Sequence, residues 1–244
     1  GVAFVKGLEQ HDEYAVTAID PDEAARESVA DSALQTTADP AAAVDPIVVL
    51  AVKPDLVDTV LAGLDLTADQ TLVTLAAGVS RSFVSARTDA TVVRVMPNLA
   101  AEFGEMAAAA THEGLSEEVR TLLEAMGTVA EVDESLMDVA TAVNGSGPAF
   151  VFYLIDAVKT AGIEGGLDPT QAERLAAQTF RGAAATVLRD DRTVDELVDA
   201  VCSPNGTTIE GMEVLWESDA DRAVADAVGA AERRSREIAE AFEE

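Results

Sequence analysis

The segment CSPNGTTIEGMEVLWE, Cys202–Glu217, sets Ser203, Asn205, Gly206, Thr207 and Thr208 close together and then runs straight into apolar residues at helical spacing. Pro204 and the Asn205–Gly206 pair dictate a turn. Thr207 or Thr208 then opens a helix with the apolar stripe Ile209, Met212, Leu215 and Trp216. The first N–H groups of a helix lack internal partners and carry the positive end of its dipole. Such an end can seat a carboxylate. Gly206 keeps a Cβ out of the approach, and the threonine hydroxyls add donors that can rotate. The same residues also suit an ordinary helix cap, and on this stretch alone both readings stand.

Other reactive groups are scarce. Cys202 is the only cysteine, and His11 and His112 are the only histidines. No disulfide can form within the chain, and no metal site is expected. A nucleophilic cysteine needs a base, so Cys202 reads as a packing residue.

The elements that must carry the turn come in two styles. YAVTAID (Tyr14–Asp20) reads as a strand ending on an acid, followed by a helix over Asp22–Ala33. PIVVLAV (Pro46–Val52), TLVTLAA (Thr71–Ala77) and TVVRVMP (Thr91–Pro97) are continuous apolar runs, the pattern of strands buried on both faces. Helices fall between them at Leu56–Leu64 and Ser80–Arg87. MAAAATH (Met106–His112) suits a strand or a helix. Ser116–Met126 is helical with Ser116 as N-cap and acids in its first turn, and VAEVD (Val129–Asp133) closes the series. After Asp133 the patterns are all helical: Glu134–Val143, Gly147–Gly162, Pro169–Asp190, Thr193–Val201, Thr207–Trp216 and Asp219–Phe242. The expected fold is α/β: a Rossmann-like, mostly parallel sheet domain over 1–133, then an all-helical domain over 134–244.

In a mononucleotide-binding unit an acid at a strand end, about 20 residues past the glycines, bonds the ribose diol. Gly1, the helix after it and Asp20 suit the second half of such a unit. Its first strand and glycines would precede residue 1, so an N-terminally truncated motif is expected. Asp20 favours the diol of NADH over the extra phosphate of NADPH, and Arg26 offers a cation that can reach a phosphate.

Sixteen basic residues against 45 acidic ones give a net charge of −29. That excludes a polyanion partner such as nucleic acid and an anionic membrane surface. The acids are spread along the chain, and the lysines are only Lys6, Lys53 and Lys159. A uniformly acidic, hydrated surface suits high salt, where screening relieves self-repulsion. A salt-rich cytoplasm, as in halophilic archaea, is the expected setting. No apolar run is long enough to span a membrane, and no leader pattern opens the sequence.

Six segments in order resemble the pyrroline-5-carboxylate reductase family: LAVKP (Leu50–Pro54), AAGVS (Ala76–Ser80), VVRVMPN (Val92–Asn98), NGSGPAFVF (Asn144–Phe152), LAAQTFRGAA (Leu175–Ala184) and CSPNGTTIEGMEVL (Cys202–Leu215). Asn205 stands where Gly is common and Asn144 where Ser is common. The resemblance implies a cofactor domain followed by a helical dimerisation domain, with the active site between them. It implies a homodimer, larger rings of dimers in many members, and reduction of 1-pyrroline-5-carboxylate to proline by NADPH or NADH. On this footing Thr208 lies near the ring nitrogen, and Ser203, Asn205, Gly206 and Thr207 hold the carboxylate. Gly145, Ser146 and Gly147 belong to a turn, Gly145–Ala149, that opens the long central helix beside substrate and nicotinamide. The cofactor falls to Gly1, Asp20, Asp39 and three strand ends: Ala51, Val52, Lys53 and Pro54; Ala76, Ala77 and Gly78; Met96, Pro97 and Asn98. Asp39 suits an N-cap equally well. The competing readings are a related hydroxyacid dehydrogenase or imine reductase, with Lys159 as the only lysine in the helical half, and a non-catalytic dimer module.

Overall fold

The computed structural model describes the backbone of residues 1–243 and the side chains of residues 1–242. The chain forms two compact units, Gly1–Ser146 with Val228–Glu244, and Gly147–Ala227. The sequence pattern changes earlier, at 133. Residues between the two points are helical in sequence yet pack on the sheet, because Met137 is wholly buried beside Met96 and Ala109.

The first unit opens with helix α1 (Val2–Leu8), then β1 (Thr17–Ile19), α2 (Glu23–Glu27) and β2 (Gln35–Thr37). β1 and β2 form a parallel pair of their own, with Ile19 opposite Thr37. Next come β3 (Ile47–Leu50), α3 (Val57–Leu61), β4 (Thr71–Thr74), α4 (Arg81–Ser85), β5 (Thr91–Met96), β6 (Met106–Thr111), α5 (Glu117–Glu124) and β7 (Gly127–Val132). β3 to β7 make one sheet in sequence order. It is parallel except that β6 runs antiparallel to β5, and β7 follows β6.

The sheet explains the apolar runs. Leu72 and Val73 on β4, and Val92 and Val93 on β5, are all essentially inaccessible. Val73 and Val93 face a core with Phe4, Leu8, Leu123 and Met126, while Leu72 and Val92 face one with Val57, Leu61, Val79 and Val84. Strands covered on both faces need no alternation. β3 departs from that expectation: Ile47, Val48 and Val49 are only half-buried, since β3 is an edge strand with β4 as its one ladder partner. The alanine-rich run Met106–Thr111 is a strand, its alanines hydrogen-bonded in register to β7.

After β7 the backbone turns helical: a 3-10 turn (Glu134–Leu136), α6 (Met137–Ala140) and a π-helical stretch (Thr141–Ser146). The second unit consists of α7 (Gly147–Glu164), α8 (Pro169–Arg189), α9 (Val194–Val201), α10 (Thr207–Trp216) and the start of α11 (Ala220–Glu243). Asp168 caps α8, and Thr193 with Glu196 forms a reciprocal capping box on α9. Among its described residues only Ala172 and Ala176 are buried. Its large apolar side chains, Phe152, Tyr153, Leu188 and Trp216 among them, stay exposed.

The remainder of α11 packs on the first unit. Phe242 meets Phe83 edge to face, Ser235 donates to Asp138 Oδ1 at 2.7 Å, and Ile238 lies over Gly78.

Candidate functional site

In the first unit the chemistry-bearing residues sit where strands end. β1 stops at Asp20, whose N–H still donates to Thr37 O at 3.1 Å. One carboxylate oxygen of Asp20 accepts the Asp22 N–H at 2.9 Å. The other makes no hydrogen bond within the described residues. Arg26 Nη1 is held by the carbonyls of Asp20 at 2.7 Å and Pro21 at 3.0 Å. Gly1 lies in the same place: a Cβ on it would rest 3.6 Å from Ala51 Cβ. Asp20 lies near enough to the Gly1 backbone nitrogen to act on it electrostatically. Gly1, Asp20 and Ala51 are therefore gathered at the ends of β1 and β3.

Asp39 follows β2 and has a cap's geometry. Its Oδ1 accepts the Ala41 N–H at 3.0 Å at the start of a 3-10 turn. After β3, Ala51, Val52 and Pro54 are half-buried and Lys53 is exposed, its ammonium unpaired among the described residues. After β4, Ala76 is buried and Ala77 half-buried. Gly78 takes a left-handed φ of 73° and is closed off by α11, where an added Cβ would meet Ile238 Cγ2 at 2.5 Å. After β5, Met96 is buried and Pro97 ends the ladder. Asn98 Oδ1 accepts the N–H groups of Ala100 at 3.2 Å and Ala107 at 3.3 Å.

No turn forms at Gly145–Ala149, contrary to the sequence expectation. Gly145 and Ser146 end the π-helical stretch, and Gly147 begins α7 directly. Pro148 has no N–H for a helical bond, and the wider π spacing before it accommodates that loss. Nothing lies within 4 Å of a Cβ built on Gly147.

In the second unit the turn Ser203–Gly206 is as the residue types dictate. Asn205 adopts φ 57°, a conformation Asn tolerates better than most residues. The Gly206 N–H donates to Ser203 O at 2.9 Å. A Cβ on Gly206 would come 2.4 Å from Ser203 Oγ, which can rotate away, and 2.9 Å from the fixed Ser203 carbonyl oxygen, so the turn favours glycine. Gly206 is the N-cap of α10, and no side chain caps the helix. The hydroxyls of Ser203, Thr207 and Thr208 are on exposed residues and make no hydrogen bond within the described residues. Of the two readings this stretch allowed, a side-chain cap is not the one the structure adopts. Lys159 is committed elsewhere: its Nζ lies 2.7 Å from Asp156 Oδ1 and 3.9 Å from Glu173 Oε2, and the Asp156 bond raises its pKa.

Two features escaped the sequence reading. Arg94, in the middle of β5, is buried, and its Nη1 donates to Glu134 Oε1 at 2.8 Å. The same Glu134 oxygen accepts the Arg81 N–H at 3.1 Å, so one carboxylate joins β5, α4 and the segment after β7. The charge inside TVVRVMP was its only signal. Asn144 also acts from a distance, donating to the carbonyls of Met96 and Ala107. Nothing in the sequence marks that role.

The family described as pyrroline-5-carboxylate reductase dimerisation matches residues 134–238. A pyrroline-5-carboxylate reductase of Methanosarcina acetivorans is 41% identical over 201 residues, which span 79% of this chain and 74% of that protein. The solved pyrroline-5-carboxylate reductase of Coxiella burnetii superimposes with a TM-score of 0.85 at 27% identity, covering 97% of this chain and 93% of that one. The Plasmodium falciparum pyrroline carboxylate reductase, solved with NADP bound, gives a TM-score of 0.83 at 25% identity, covering 98% and 94%.

Proposed function

Since the chain belongs to the pyrroline-5-carboxylate reductase family, we propose how its residues divide the work of that reaction. It reduces 1-pyrroline-5-carboxylate to proline, with NAD(P)H as the reductant. When bound, the reduced nicotinamide supplies a hydride to the carbon of the C=N bond.

The residues at the strand ends fit a dinucleotide. Asp20 keeps one carboxylate oxygen free beside the small residues Gly1 and Ala51, as a ribose diol requires. Lys53 brings an unpaired cation to the end of β3, and Met96, Pro97 and Asn98 form the floor at the end of β5. Ala76 and Ala77 line the end of β4. Gly78, packed under Ile238, supports them rather than offering a contact. Asp39 holds its own turn beside β2 and reaches the adenosine side from there.

The substrate falls to the start of α10. Ser203, Asn205, Gly206 and Thr207 take the carboxylate. Thr208 bonds the ring nitrogen, so the proton that completes the reduction arrives at that nitrogen from its hydroxyl or from solvent. An imine nitrogen is basic enough to need no strong acid, and what the protein adds is position and fixed donors. The observation that carries this reading is the uncapped start of α10, with three hydroxyls left unengaged. A hydroxyacid dehydrogenase would need Lys159, whose ammonium is already held by two carboxylates.

The second unit supports a homodimer, since its apolar side chains lack cover within the chain. A ring of dimers is the larger assembly we propose from the family resemblance. The charge of −29 supports a salt-rich cytoplasm as the setting. No helix among the described residues is long and apolar enough to cross a membrane.

The test is NADH- and NADPH-dependent reduction of pyrroline-5-carboxylate at molar salt. Thr208→Ala is expected to lower kcat about 100-fold with little change in thermal stability, because Thr208 is exposed. Full activity in that variant would remove the assigned role, and no turnover by the wild type would remove the reading.

A further inference from the structure

Beyond Met96 the ladder between β5 and β6 loses its backbone partner. The register sets Val95 opposite Ala110 and Met96 opposite Ala109. Continued, it would set Asn98 opposite Ala107, but Pro97 turns the chain into the 3-10 turn Leu99–Phe103. Ala107 is satisfied all the same. Its N–H donates to Asn98 Oδ1 at 3.3 Å, and its carbonyl accepts from Asn144 Nδ2 at 2.9 Å. The same nitrogen donates to Met96 O at 2.6 Å. Two side-chain amides thus take the place of the missing backbone pair.

The Asn144 amide has one workable orientation. Turned over, its oxygen would face two carbonyl oxygens. As it stands, Oδ1 is buried without a partner among the described residues. Leaving a buried acceptor unmade is unfavourable, so what the side chain gains lies on its donor side. The π-helical stretch around it runs close to the strand end, where a Cβ on Gly145 would sit 3.6 Å from Met96 Sδ. A serine at 144 would be shorter and carry one donor in place of two.

We propose that Asn144 is a positioning residue for hydride transfer: its carboxamide fixes the end of β5, Met96–Asn98, where the reduced nicotinamide docks. This rests on the reading above that the strand ends hold the dinucleotide. A misplacement near 1 Å away from the reacting atoms can cost about 100-fold in rate, so a clip on this backbone governs kcat more than cofactor affinity.

Asn144→Asp tests it. At neutral pH a carboxylate would oppose the two carbonyl oxygens. Those oxygens and burial would raise its pKa, and once protonated it could again donate to one of them. The expected result is a kcat lowered about 10- to 100-fold, with NADH and NADPH dissociation constants, read by fluorescence titration, changed less than about threefold. Activity should recover as pH falls, along a limb absent from the wild type and from Asn144→Ala. Amide hydrogen exchange over 98–107 should quicken in both variants, measured without cofactor. Wild-type kcat in Asn144→Asp, or a loss with no acid recovery and unchanged exchange, would overturn the proposal. Should Asn144→Asp fail to fold, Asn144→Ser and Asn144→Ala test the clip through kcat and amide exchange without the pH limb, with serine expected to keep more activity and a wild-type kcat or unchanged exchange in Asn144→Ala overturning the proposal. A wild type that binds neither cofactor would sink the dinucleotide reading, whereas unchanged exchange with normal cofactor binding would sink only the clip.

Discussion

At the scale of single residues, the glycines divide by what surrounds them. Gly78 combines a left-handed φ of 73° with a Cβ position only 2.5 Å from Ile238 Cγ2. Gly78→Ala therefore meets both backbone strain and overpacking, each about 1 kcal/mol or more. The expected loss is about 2 to 3 kcal/mol, measured by denaturant unfolding at fixed salt. Ile238→Ala in the same chain should relieve the Cγ2 clash and leave the φ cost and the tight contacts with the residue 238 Cβ and the Ala239 N, so the two changes should be non-additive. Simple additivity would mean that α11 does not press on Gly78 in solution. Gly147 contrasts with it, since nothing lies within 4 Å of its missing Cβ.

At the scale of elements, capping chemistry gives a clean expectation for α9. Thr193 Oγ1 accepts the Glu196 N–H at 3.3 Å, and Glu196 Oε2 accepts the Thr193 N–H at 2.8 Å. Thr193→Ala should cost about 1 kcal/mol. The Thr193 backbone bond holds the Glu196 pKa below its ordinary value. Its support is thus present above the ordinary carboxylate range and lost as pH falls through the lowered value, and Glu196→Gln should flatten that part of the stability–pH curve. Signals of this local kind were legible in the sequence. Ser116 caps α5, and the apolar runs at β4 and β5 are strands buried on both faces. What escaped depends on distant partners. β2 is only Gln35, Thr36 and Thr37, with no apolar face to announce it, and exists because β1 offers a ladder. The expected turn at Gly145–Ala149 became π-helix and α7, and Asn144 within that stretch reaches two carbonyls far away in sequence. In the site, the turn Ser203–Gly206 follows from its residue types. The burial of Gly78 under α11 could not be read from either segment alone.

At the scale of the whole molecule, two global properties meet. The second unit leaves Phe152 65% and Tyr153 76% exposed, which suits association, while a charge of −29 on every copy opposes it. Salt should decide the balance through screening. Sedimentation is expected to show dimers at molar salt and dissociation at low salt, with Tyr153→Asp shifting the chain toward monomer even at molar salt. A wild type that stays dimeric in dilute buffer would show that charge is not the controlling term. The reversal at β6 has a practical consequence. Because β6 and β7 run against β5, His112 and Asp133 emerge at the sheet end opposite Met96, with His112 Nδ1 3.4 Å from Asp133 Oδ1. That far rim is the natural attachment point for a dye, an affinity handle or a solid support, since whatever is fastened there stands about 10 Å along the sheet from the end of β5.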